Sequence, residues 1–188
     1  MTYKTFIEKL RAVCICNNTV VNSAQIQSYF LQLNKADQDL IKIVDEYRYG
    51  QLPVIPVIHK EQGFELKLLQ TSIDFDSEIH DHPYRDVHGY VLNGSIEMTV
   101  YNLKQEVNED SKLIEKVSEQ SYKQGDYFLI GRDKNNYHRV KSKEPAVVLE
   151  LVTPAITAKL AEDTLKYQVQ QVLDNNLIQV MKLEELVL

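Results

Sequence analysis

The sequence predicts a mainly β protein, an antiparallel barrel or sandwich with helices at either end. Seven or more short stretches between residues 51 and 154 alternate in polarity or run apolar, and turn residues punctuate them about every ten positions. Apolar residues recur instead at helical spacing before residue 50 and again after residue 155. At 188 residues a single domain is expected. It divides into a helical cap (1–50), a β-barrel (51–154) and a helical tail (155–188).

Phe6, Ile7, Leu10, Val13 and Cys14 mark a first helix. Ile26, Tyr29, Phe30 and Leu33 mark a second, with Asn22 or Ser23 as its N-cap. Leu40, Ile41, Val44 and Tyr47 place a third between about Asp37 and Tyr47. Each is too short to stand alone, so their apolar faces must pack on something else. Pro53 and Pro56 restrict Val-Ile-Pro-Val-Ile to an edge strand or an extended lead-in. After the Gln62-Gly63 turn, Phe64 to Ser72 alternates Phe64, Leu66 and Leu68 with Glu65 and Lys67. Val87 to Leu92 runs into Asn93-Gly94, a strong hairpin signal. Further strands are expected over 95–103, 113–117, 127–130, 137–141 and 146–152, with a polar hairpin loop over 104–111 and a Gln124-Gly125-Asp126 turn. In the tail, Leu160, Leu165, Val169, Val172 and Leu173 return to helical spacing. That helix would pack outside the barrel or on a second copy of the chain, as in a homo-oligomer.

Composition excludes several classes of partner. The formal net charge is −6 and no basic block occurs, which argues against nucleic acid. No apolar run approaches the roughly 18 residues of a membrane span, and Met-Thr-Tyr-Lys-Thr-Phe-Ile-Glu-Lys lacks a signal-peptide core. A cytoplasmic protein is the expectation. The two cysteines, Cys14 and Cys16, are too close to bridge easily and read as small hydrophobes in a buried helix. Thiol chemistry would have to come from a substrate.

The stretch that carries chemistry is Ile79-His80-Asp81-His82. On an extended segment, side chains two apart share a face, so both imidazoles aim at one point and form half of a transition-metal site. His138, in Tyr137-His138-Arg139-Val140, begins a strand about fifty residues later. His59 and His88 read as ordinary surface residues, and the Tyr47-Arg48-Tyr49 cluster as packing at the barrel mouth.

A His-x-His on one strand with a third His on a later one resembles the metal-ligand layout of the cupin superfamily, whose fold is a double-stranded β-helix or jelly-roll barrel. The spacing from His80 to Gly94 fits that pattern too. Ile79-His80-Asp81-His82, Tyr137-His138-Arg139-Val140 and Glu144-Pro145-Ala146-Val147-Val148-Leu149 are most similar to the thiol dioxygenases, particularly the cysteine dioxygenases, over roughly residues 1–154. The resemblance implies Fe(II) held by His80, His82 and His138, a small-molecule thiol and dioxygen as reactants, and a sulfinate as product. A metal cupin of different chemistry, such as a ring-cleaving dioxygenase or an isomerase, and a non-catalytic ligand-binding cupin remain the alternatives.

The chain departs from that family at several positions. The general cupin carboxylate ligand falls at Val87, which cannot ligate. The Ser-His-Tyr relay of cysteine dioxygenases becomes Val148, Glu150 and Val152, and the Arg that anchors the substrate carboxylate falls near Ile55. The last thirty or so residues do not resemble the family's C-terminal hairpin. If Val87, Gly89 and Val91 face inward, strand parity turns His88 and Tyr90 outward; Glu150 shares its side with Val148 and Val152, and as an inward carboxylate it needs a partner, for which Arg85 or a ligating His are the candidates. Tyr84 and Arg85, in the loop beside the ligands, are candidates to contact substrate. Tyr84, Arg85 and Glu150 are therefore the candidate catalytic residues.

Overall fold

The computed structural model describes residues 1–14, 22–48, 55–132, 136–154, 165–174 and 176–183. Expectations resting on Cys16, on the side chains of Tyr47, Arg48 and Tyr49, on Pro53 and on Leu160 fall outside them. Three helices come first: α1 (Tyr3–Cys14), α2 (Ser23–Gln32) and α3 (Gln38–Arg48). Asn22 caps α2, its side-chain oxygen accepting from the Gln25 N–H at 3.2 Å. Asp37 caps α3 in the same way through Leu40. Helical spacing turns Phe6, Leu10, Ile26 and Phe30 to one side, and all four are completely buried.

Twelve strands follow among the described residues. They are β1 (Val57–Glu61), β2 (Phe64–Thr71), β3 (Phe75–Asp76), β4 (Ile79–His80), β5 (Asp86–Asn93), β6 (Ser95–Glu106), β7 (Ser111–Lys123), β8 (Tyr127–Ile130), β9 (Tyr137–Ser142), β10 (Ala146–Thr153), β11 (Lys166–Val172) and β12 (Leu177–Lys182). One sheet runs β1-β2-β10-β5-β8, with the proline-flanked β1 at its edge as expected. The other runs β3-β9-β4-β11-β12-β7-β6, and a further β9–β6 pairing closes six of these strands into a ring. The result is a mainly β fold of two antiparallel sheets with a closed six-stranded ring.

Three cores divide the molecule. The outer side of the five-stranded sheet, with Phe64, Leu66, Tyr90 and Leu149, packs on the helices. Its inner side, with Leu69, Val91, Phe128 and Val148, faces Met98 and Val140 of the second sheet. A third core, with Tyr101, Ile114, Tyr137, Tyr167 and Val180, fills the six-stranded ring. A bulge between Val100 and Tyr101 switches β6 from the second core to the third. Both sides of β10 are covered, which accounts for its nearly unbroken apolar run.

The structure corrects five expectations. Asn93-Gly94 is not a hairpin: β5 pairs with β10 and β8, β6 pairs with β7 and β9, and the turn carries the chain from one sheet to the other. Gly94 is needed there, because its φ is 73° and a Cβ would sit 2.3 Å from the Pro145 carbonyl oxygen. The tail is not a helix where it is described. Tyr167 and Val180 are buried in the ring, β11 and β12 pair, and Asp174 shapes their turn by accepting from Asn176 and Leu177 at 2.8 Å. The 104–111 loop is shorter than expected, since β6 and β7 extend across half of it and leave 107–110. The alternation in β2 is correct, but both of its faces are covered. Its apolar side meets the helices and its charged side, Glu65 and Lys67, faces the barrel interior.

The fifth correction concerns His88. It points out of the barrel as parity requires, but outward here means beneath the helices, and the residue is fully buried. One ring nitrogen, Nδ1, lies 2.7 Å from the Tyr127 hydroxyl. Burial pushes its pKa down to about 4. Between that value and the ordinary 6.5 the unfolded chain binds the proton and the native chain does not, so stability is complete above pH 6.5 and falls toward pH 4. His88→Asn removes the titration. We expect the unfolding free-energy difference between wild type and this variant to change by about 3 kcal/mol between pH 7 and pH 4. Denaturant melts across that range check it, and a constant difference would refute it.

Candidate metal centre

His80 and His138 lie directly opposite each other in the β4–β9 pair, which brings their ring centroids to 4.1 Å. His82, two residues beyond His80, returns to the same side, its ring 5.1 Å from both. The three offer ligand atoms within 4.8 Å of one another, and among the described residues no other group of three metal-binding side chains does so.

The ring nitrogens are already assigned their roles. His80 Nδ1 is 3.0 Å from the Glu78 carbonyl and His138 Nδ1 is 2.7 Å from that of Asn136. A carbonyl only accepts, so both Nδ1 atoms carry hydrogen and each Nε2 keeps its lone pair for a metal. Burial lowers the pKa of all three imidazoles, most of all in His82 and His138, and so favours the neutral, ligating form. The donor set therefore fits a divalent transition metal of the imidazole-binding group, which includes iron.

Asn136 is the residue that sequence reasoning missed. Its side chain accepts from the His82 N–H at 3.1 Å and donates to the His82 carbonyl at 2.8 Å, while its own backbone carbonyl orients His138. One residue thus ties both ligand segments together across 54 positions of sequence. Its place two residues before His138 was the only sequence signal.

The histidines open on a cavity of about 510 Å³ within the main barrel. Its exposed lining residues Ile55, Asp76, Glu78 and Lys166 mark the opening, and Leu69, Phe75, Met98, Phe128 and Val152 give most of the wall an apolar character. Glu150, Lys67 and Arg85 are the charged groups set deeper. Glu150 faces inward as parity requires and lies opposite Lys67 in the β2–β10 register. Burial pushes its carboxyl up to about 7, against the pull of Lys67. Burial also lowers the Lys67 ammonium, which Glu65 and Glu150 oppose.

The two loop candidates separate. Arg85 is only 2% exposed and lines the cavity. Tyr84, at φ 72°, is 65% exposed and is not among the lining residues, because consecutive residues of this turn face opposite ways. Val87 is buried on the wall where a fourth ligand was considered, and it supplies none. Gly89 is bare because the Phe128 ring lies over it, 1.9 Å from where a Cβ would stand. Ile55 takes the position of the expected anchoring Arg, so the deep cations come from Lys67 and Arg85 instead. Cys14 is buried among the helices with its thiol pushed up to about 12, far from reactive thiolate character.

Neither a protein-family model nor a curated protein matches this chain. Among solved structures, it is similar to an uncharacterized conserved protein with a double-stranded beta-helix domain from Klebsiella pneumoniae, at 17% identity and a TM-score of 0.45, over 61% of this chain and 84% of that one. It is also similar to a cupin-2 domain containing protein from Shewanella frigidimarina, at 16% identity and a TM-score of 0.42, over 64% of this chain and 95% of that one. A third is hydroquinone 1,2-dioxygenase PnpCD in complex with Cd2+ and 4-hydroxybenzonitrile, at 14% identity and a TM-score of 0.47, over 63% of this chain and 72% of that one. These likenesses concern architecture alone. No helix among the described residues is long and apolar enough to cross a membrane.

Proposed function

We propose that this chain is a non-haem Fe(II)-dependent dioxygenase of a small thiol that carries an anionic group. The observation that supports this reading is the cluster of His80, His82 and His138 facing a cavity that also holds two deep cations, Lys67 and Arg85. The reaction balances as R–SH plus O2 giving R–SO2H, with both oxygen atoms transferred to sulfur. An iron ion held by the three Nε2 atoms would supply an acidified thiol and a place for dioxygen.

The remaining roles belong to the chain. Lys67 and Arg85 hold the anionic end of the substrate and so fix which way the sulfur points. Glu150, near neutrality in its ionisation, takes up the thiol proton inside the cavity. Phe75, Met98 and Phe128 exclude water from the reacting atoms.

The extent of the apolar wall favours a second reading, a metal enzyme acting on a ring-bearing chelator such as a catechol or hydroquinone. One experiment addresses both. Protein loaded anaerobically with Fe(II) is given dioxygen and, in turn, cysteine, 3-mercaptopropionate, cysteamine, a peptide with N-terminal Cys, and catechol. Uptake with an anionic thiol, matched by sulfinate, is the expected result. In Lys67→Met the KM for that thiol should rise about 10-fold, the scale of one charged hydrogen bond, while the KM for cysteamine, which has no anionic group, should not rise. Uptake with catechol alone selects the second reading. No uptake at full iron occupancy overturns both and leaves a binding protein.

A further inference from the structure

We propose that the C-terminal β11–β12 hairpin is a working part of the metal centre, positioning His80 and His82 through Asp81 and Tyr167. The inference rests on the metal-site reading above and concerns how the ligands are held.

Strand β4 is only two residues long, Ile79 and His80, and so has few backbone bonds of its own. It is gripped from both sides. On one side His80 pairs with His138 of β9, and on the other His80 and Ile79 pair with Lys166 and Tyr167 of β11. Without the hairpin, β4 would be an unpaired edge carrying a metal ligand. Alternation sends His80 and His82 into the cavity and Asp81, between them, into the six-stranded ring.

Asp81 is 6% exposed there and is bonded to the hairpin segment. Its N–H donates to the Leu165 carbonyl at 3.1 Å, and its carboxylate accepts from the Leu165 N–H at 3.2 Å and the Tyr167 hydroxyl at 3.3 Å. The third ligand is backed by the same cluster. Tyr137, the residue before His138, packs edge-on against Tyr167 at 5.4 Å and accepts from Lys112 Nζ at 2.9 Å. A hairpin that lifts away would strand a buried carboxylate. Ligand segment and hairpin therefore move together. Occupancy of the three histidines must then stabilise the hairpin as much as the hairpin favours occupancy.

Tyr167→Phe removes only the hydroxyl that reaches Asp81. Val180→Ala opens a void in the same ring without touching Asp81, and so separates positioning from general stability. The probe is Co(II), followed by its absorption spectrum, with hydrogen exchange as a second readout. In the wild type, Co(II) should slow amide exchange in 165–183 and leave α1–α3 unchanged. Tyr167→Phe should weaken Co(II) binding about 10-fold, as loss of a partner behind a metal ligand typically does. Val180→Ala should melt at lower temperature yet bind Co(II) within about 3-fold of wild type, since this void leaves the bonds to the ligand segment in place. Wild-type binding with an unaltered Tyr167→Phe, or affinity that merely follows melting temperature in both variants, overturns the inference. No Co(II) binding by the wild type removes the metal-site reading itself, and this inference with it.

Discussion

His138→Ala is expected to strip the protein of its metal while leaving its fold in place. His138 is 2% exposed, sits 4.1 Å from His80 ring to ring, and has no substitute: among the described residues no fourth metal-binding side chain joins the cluster. Loss of an outer partner behind a metal ligand usually costs about 10–100-fold in affinity, so loss of a ligand from a set of three should exceed about 100-fold. Stability should fall by only about 1–3 kcal/mol, because the change orphans the Asn136 carbonyl and leaves the apolar cores intact. Metal content by mass spectrometry, beside circular dichroism of the same samples, makes the comparison. His80→Ala and His82→Ala should behave alike. Unchanged metal content in a folded variant would end the metal-centre reading.

Phe30→Ala should do the opposite, costing about 3–5 kcal/mol of stability and sparing the site. Phe30 is fully buried where the cap meets the barrel, 5.0 Å from Phe6 and 5.8 and 5.9 Å from the Tyr90 and Tyr127 rings. It joins two helices to the outer side of the five-stranded sheet, so truncating it opens a void where the cap packs on that sheet. The histidines lie beyond that sheet, in another core, and distant sites add independently. At temperatures where the variant is still folded, its metal affinity should therefore match the wild type. Chemical denaturation and metal titration of the same preparation decide it, and a loss below about 1 kcal/mol would show that the cap is held elsewhere.

Several of these features could be read from the residues in order. Helical spacing of Phe6, Leu10, Ile26 and Phe30, and the caps at Asn22 and Asp37, depend on neighbours three or four positions away, and local interactions decide them. The same holds for His80 and His82, whose common side follows from strand geometry alone, and for Glu150, which parity along β10 places on the side of Val148 and Val152. Where packing decides, local reading failed. The alternation of Lys67 and Glu65 with Phe64 and Leu66 left open which side is the inside, and the helices settled it by covering the apolar one. Tyr84 and Arg85 were equal candidates because a turn's backbone angles are not written in its residue types. The helical spacing of Leu165, Val169 and Val172 is weak and was overridden when β11 and β12 completed the ring.

By itself the sequence determined the helical cap, the antiparallel strands and the common side of His80 and His82, since periods of 3.6 and 2 and a His-x-His spacing are local properties of a chain, while His138 entered only through the family resemblance. Only the tertiary structure decided which side of each strand is the inside, that His88 is buried, that Asn136 ties the His82 and His138 segments together, and that the C-terminal hairpin pairs with the strand that carries His80. Those outcomes depend on contacts between residues 30 to 90 positions apart, and which elements cover one another is settled by burial of the whole chain at once.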